Sequence, residues 1–117
     1  MIGKIVSLNI SEKKGVRKKP VKEVSLKAER GIEGDAHASS AWHRQVSLLA
    51  VESIKKMRDK GLDVKPGDFA ENITTEGIDL LRPPVGTKMI IGNNYRGRCE
   101  PDRQGMPYSM RDIYPGR

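Results

Sequence analysis

Aromatic side chains are scarce in this chain, with one Phe, one Trp and three Tyr among 117 residues. Its core must therefore rest on Val, Ile and Leu, and before residue 93 it lacks the aromatic platforms on which single-stranded bases stack. Cysteine is rarer still: Cys99 stands alone, which excludes an internal disulfide and any secreted disulfide scaffold. No stretch approaches the roughly 20 consecutive apolar residues of a membrane-spanning helix. The opening MIGKIVSLNI carries a lysine and too short an apolar run for a secretory signal, so a cytoplasmic setting is expected. Gly-rich phosphate loops, dinucleotide fingerprints, nucleophile elbows, paired Cys-x-x-Cys motifs and internal repeats are all missing.

What is present is charge. Charged residues make up 32% of the chain, and the formal net charge of +7 raises nucleic acid as a ligand. Much of it sits in SEKKGVRKKPVKE, where Lys13, Lys14, Arg17, Lys18 and Lys19 surround Gly15 and Pro20. That composition reads as an exposed hairpin loop, and a charge run on a loop is most often a solvated face.

One domain is expected, since a single core is typical up to about 150 residues. In GKIVSLNI, Val6, Leu8 and Ile10 alternate with Ile5, Ser7 and Asn9, the period of a half-buried strand. VKEVSLKA alternates likewise, which makes the basic loop a connection between two strands. QVSLLA reads as a short strand, and PPVGTKMIIG predicts another over Thr87–Ile91. Between them Val51, Ile54 and Met57 recur at helical spacing with Gly61 as a C-terminal stop, so one helix is expected near residues 50–61. Short strands, Gly/Pro turns and a single helix together predict a mainly β fold with minor α, curled or closed into a barrel.

Two polar clusters interrupt this scaffold. GIEGDAHASSAWHRQ holds both histidines, His37 and His43, with Asp35, Arg44 and Gln45 and the flexible Gly31 and Gly34. Asp35, His37 and His43 offer three N/O metal ligands, although their spacing is not a specific zinc pattern. His43, Arg44 and glycine N–H groups offer an anion site. The plain alternative is that Asp35 and the histidines only hold the loop together. In GDFAENITTEG, alternation puts Glu71, Ile73 and Thr75 on one strand face and Asn72 and Thr74 on the other. Polar groups on both faces point either to a pocket lining or to an edge strand bonding its own backbone.

RGIEGDAHA, HRQVSLLAVESI, PGDFAENITTEGIDL and PVGTKMIIG, in this order, resemble the MOSC domain, named after the C-terminal region of molybdenum cofactor sulfurase. The likeness covers about residues 1–92 and implies a β-barrel core. It implies binding of the molybdenum cofactor (molybdopterin) or another sulfur-containing anion, and a sulfur-carrier or sulfurtransferase role. A molybdoenzyme or a cysteine desulfurase, from a family associated with pyridoxal phosphate, would be its partner. The polar pocket implied is Asp35, His37, His43, Arg44, Gln45, Glu71, Asn72 and Thr74, with no metal-ligand set of its own. A basic nucleic-acid-binding β-domain and a metal-dependent hydrolase at Asp35, His37 and His43 stand as the alternatives.

From residue 93 onward the resemblance fails. The family expects a Gly-Lys-x-Cys-His-x-x-Cys-like segment carrying the sulfur-bearing cysteine, whereas Cys99 lies in GRCEPD with the wrong flanks. One permitted coding of Pro101–Arg111, regrouped from its second nucleotide, spells Gln-Ile-Gly-Lys-Glu-Cys-His-Thr-Gln-Cys-Val. Met106 followed by any proline codon must yield Cys in that frame, and Met110 before an arginine codon yields Cys or a stop. Residues 93–117 contain Arg96, Arg98, Arg103, Arg111 and Arg117 and no Lys, unlike the Lys-rich body. Residues 93–117 therefore read as a divergent, out-of-frame tail in which Cys99 is the one thiol left for catalysis.

Overall fold

The computed structural model describes residues 2–14, 16–36, 38, 46–80, 88–92, 95–100 and 108–115, the last two segments by their backbone. Among the described residues nine strands and one helix follow one another: β1 (Lys4–Ile10), β2 (Lys19–Val21), β3 (Leu26–Lys27), β4 (Gly31–Ile32), β5 (Val46–Ala50), α1 (Val51–Asp59), β6 (Ile73–Glu76), β7 (Lys88–Ile91), β8 (Tyr95–Glu100) and β9 (Tyr108–Pro115). Seven strands form one sheet in the order β2-β1-β6-β5-β9-β8-β7, and β3 and β4 form a separate ribbon. The mainly β fold with one helix is as expected. Its sheet is not closed by hydrogen bonds among the described residues, because β2 and β7 remain its two edges. It is curled nonetheless: Leu8 and Ile10 of β1 and Met89 and Ile91 of β7 pack against the same apolar cluster.

That cluster is Ile32, Val46, Leu48, Ile73 and Leu80. Among the described residues it is built of Ile, Val and Leu, as the aliphatic composition implies. The β3–β4 ribbon contributes Leu26 and Ile32. α1 runs against β5 and β6 and buries Val51 and Ile54. The helix is stopped by Gly61, which takes φ +96° and donates its N–H to the Arg58 carbonyl.

β5 and β6 are paired in parallel, Leu48 beside Ile73 and Ala50 beside Thr75. The chain between them includes α1, since parallel neighbours need a crossover. β1 lies antiparallel on the other side of β6 with a break in register between Ile5 and Ser7. The extra residue, Val6, opposes nothing. Ile5 is thereby turned to the face of Leu8, opposite Thr75, and Ser7 comes opposite Thr74. Simple alternation assigned Ile5 to the Ser7 and Asn9 face, and the bulge is the reason it fails.

One further expectation is corrected. The hairpin partner of β1 is Lys19–Val21 and not the whole of VKEVSLKA, whose Val21 ends β2 and whose Leu26–Lys27 forms β3. Pro20 is tolerated because β2 is an edge strand. Residues past 93 lack apolar rhythm, yet Tyr95–Glu100 and Tyr108–Pro115 pair with each other, and β9 joins β5.

Candidate functional site

The glycine-flanked loop after β4 is fixed from below by a buried ion pair. Lys18 Nζ lies 2.7 Å from Asp35 Oδ1, and both side chains are 0% exposed. The same oxygen accepts the Ser11 N–H at 3.0 Å, and Lys18 Nζ also donates to Ser11 Oγ at 3.1 Å. The backbone follows: Ala36 N–H donates to the Ser11 carbonyl, and Lys18 N–H to the Gly67 carbonyl. Gly67 has φ +92°, and a Cβ there would collide with the Lys18 carbonyl oxygen, so only glycine fits. Lys18 thus leaves the solvated charge run to which its sequence neighbours belong. Two charges taken out of water hold only with such geometry and added hydrogen bonds.

A second buried network lies where β1, β5 and the entry to β6 meet. Asn9, Glu71, Asn72 and Thr74 are each 0% exposed. Asn9 Nδ2 donates to the Glu71 carbonyl at 3.2 Å and to Thr74 Oγ1 at 3.1 Å, while the Ser7 hydroxyl donates to Asn9 Oδ1 at 2.7 Å. The Thr74 hydroxyl donates to Glu71 Oε2 at 2.8 Å, and Phe69 N–H donates to Oε1 at 3.3 Å. Asn72 bridges the strands: its Oδ1 accepts the Ser47 N–H at 3.0 Å and its Nδ2 donates to the Asn9 carbonyl at 3.1 Å. Ala70, with φ +62°, turns the chain into this network. Glu71 stands before β6, so Thr74 reaches back to it, and the predicted split of the two residues onto opposite faces does not occur. These side chains cross-link three strands and present no polar atom to water.

Above the ion pair a hollow of about 460 Å3 opens, lined by Lys27, Arg30, Gly31, Glu33, Gly34 and Asp35 among others. Gly31 and Gly34 take φ +111° and +84°, which brings bare backbone to its wall. Lys27 pairs loosely with Glu33 at 3.6 Å across exposed side chains. Arg30 has no ion pair among the described residues. With Asp35 neutralised by Lys18, two cations face one carboxylate around this hollow, and it favours an anion.

Of the predicted site residues, Asp35 borders this hollow, whereas Glu71, Asn72 and Thr74 belong to the interstrand network. His37, His43, Arg44 and Gln45 lie outside the described residues. Cys99 lies on β8, in register with Met110 of β9. Among the described residues no three His, Cys, Asp or Glu side chains converge as metal ligands. Sequence reasoning missed Lys18, Asn9, Ser47 and Ser11. Nothing local marks them, since their roles come from partners distant in sequence. No described helix is long and apolar enough to cross a membrane.

A family model described as the MOSC domain matches residues 33–104, more than half of the chain and twelve residues past Gly92. Among solved structures, the YuaD protein from Bacillus subtilis is similar with a TM-score of 0.73 at 22% sequence identity, a likeness of fold. The match covers 86% of this chain and 65% of that one, so this chain spans less than two thirds of the neighbour's length. No curated protein matches the sequence.

Proposed function

The chain belongs to the MOSC domain family, and from that premise we propose that it binds the molybdenum cofactor, or a related sulfur-containing anion, through the loop after β4. The observation that carries this reading is the cationic, glycine-walled hollow beside Asp35. Its donor set fits the anionic part of such a group. Arg30 and Lys27 supply charge, the backbone around Gly31 and Gly34 permits close approach, and Lys18 keeps Asp35 from repelling the ligand. His37, His43, Arg44 and Gln45, next along the same loop, complete the set by family resemblance. When bound, the cofactor supplies redox-active metal and dithiolene sulfur. The chain's own residues bind and orient it, and Glu71, Asn72 and Thr74 hold the strands on which the loop is mounted.

Sulfur transfer to or from a partner, a molybdoenzyme or a cysteine desulfurase, is impaired in this reading. Sulfur carriage needs a thiolate beside a cation or histidine, and the Cys-His-x-x-Cys-like segment that bears it in the family is absent in frame. The positions of Met106 and Met110 support a slip of reading frame near Asn93 or Asn94. Sequencing the coding DNA tests this directly: codons incompatible with the shifted segment would end the idea.

Titration with molybdopterin, followed by its absorbance, tests the binding site. Arg30→Ala, His43→Ala and Arg44→Ala should each weaken binding about tenfold or more, the worth of a charge-assisted hydrogen bond. Equal binding by all three variants and the parent would remove this loop from the site. Restoring the Cys-His-x-x-Cys segment should raise persulfide transfer without changing cofactor affinity.

A further inference from the structure

The curled sheet has a seam. β2 reaches only Leu8–Ile10 of β1, so the outer edge of β1 from Lys4 to Val6 has no strand beside it among the described residues. β7 ends the sheet on the other side. Both edges border one cleft of about 810 Å3, floored by Leu48, Ile73 and Thr75.

Three observations indicate that this cleft is built to be covered. Apolar side chains crowd both faces of both edges: Ile5 is 47% exposed, Val6 46% and Ile90 53%, with Met89 and Ile91 on the inner face. An edge strand with solvent on one face alternates, and consecutive β-branched residues belong to strands covered on both faces. Secondly, Thr75 lines the cleft, and its hydroxyl, buried in a residue 3% exposed, has no hydrogen-bond partner among the described residues. Buried hydroxyls rarely stay unpaired. Lys4 and Lys88 stand at the same cleft, and neither forms an ion pair among the described residues.

We propose that this seam takes up an extended segment of a partner polypeptide, apolar at alternate positions and flanked by carboxylates, which adds a strand between β1 and β7. The free backbone edges select the occupant: a strand satisfies them by main-chain hydrogen bonds, while its inward side chains enter the apolar cleft. A polar side chain at its centre meets the Thr75 hydroxyl, and its acidic ends meet Lys4 and Lys88. A lipid-like ligand would fill the cleft and leave both backbone edges unpaired. A second copy would set lysine against lysine in a chain of net charge +7.

Fluorescence anisotropy tests this with the full chain and a panel of labelled nonapeptides, acidic at both ends with Val or Ile alternating with Thr between. The panel is joined by backbone N-methylated twins and by dodecanoate as a competitor. Saturable binding is expected, weakened at least tenfold by N-methylation and by Lys88→Glu, with slowed hydrogen exchange at Lys4–Val6 and Lys88–Ile91. Thr75→Val should remove the preference for a central Thr and leave the remaining peptides bound. Any of four results overturns the proposal: no peptide binds, N-methylated twins bind equally, dodecanoate binds where no peptide does, or the chain self-associates through the seam.

Discussion

Thr74 and Thr75 are neighbours on one strand and live in opposite surroundings. Thr74 faces the network at β1 and β5, where its hydroxyl both accepts from Asn9 and donates to Glu71. Thr75 lines the cleft, almost as fully buried, and its hydroxyl has no partner among the described residues. Around Thr74 the described polar atoms are matched. Around Thr75 isoleucines stand exposed, and Lys4 and Lys88 have no ion pair among the described residues. One part of the molecule is finished and the other is open, and burial alone does not tell them apart; the partners of the buried groups do.

Breaking the finished region should cost most at the ion pair beneath it. Lys18→Met takes the ammonium away from the buried Asp35 carboxylate, and urea unfolding should show a loss of about 3–5 kcal/mol. The double variant Lys18→Met/Asp35→Leu should recover much of that, because both charges leave together. Next comes Asn9→Ala, which strands the Ser7 hydroxyl and two acceptors, at about 2–3 kcal/mol by the same measurement.

The two threonines give the sharpest contrast. Thr74→Val should destabilise by about 1–2 kcal/mol, whereas Thr75→Val should be neutral or stabilise by up to about 1 kcal/mol, since it removes an unpaired buried hydroxyl. Equal losses at both positions would erase the distinction between the two regions. The smallest effect is at the surface, where Glu52 on α1 accepts the Gly77 N–H at 2.9 Å. That bond first, then Glu52's own backbone N–H and nearby Lys55, hold its carboxyl below the ordinary range. A lowered folded-state value means that the stabilisation is present above the unfolded value and is lost as pH falls through the folded one. Glu52→Gln should therefore lower the urea midpoint slightly at neutral pH, with the gap closing on acidification, and little more given its exposure.

Periodicity carried β1, β5, β7 and α1 into view because each has an apolar side that the core must cover, and the aliphatic composition foretold a core of Val, Ile and Leu. What it could not carry were effects of partners far away in sequence. The bulge at Val6 exists only against β6. Lys18 looks like any lysine of its run until Asp35 is brought under it, and Asp35 looks like a ligand until Lys18 takes it. β8 and β9 have no apolar rhythm of their own, so their pairing depends on the strands they join. At the site, the sequence marked the loop and the Glu71–Thr74 stretch as unusual and took both for one pocket; in the fold one walls a hollow and the other fastens strands.

The parallel pairing of β5 with β6 also dictates an order of events. β5, α1 and β6 make their contacts within one short stretch, so this unit closes at lower cost than the pairing of β1 with β6 and is placed to form ahead of it. β1 has to wait, because its partner on β6 lies far down the chain, with Asn9 and Thr74 65 positions apart. Until then the strand pairs only with the three residues of β2, which reach Leu8–Ile10 and leave Ile5 beyond them. On a chain emerging from the ribosome, β1 is made well before the β6 strand that secures it, and that interval is when it is most open to the wrong partner.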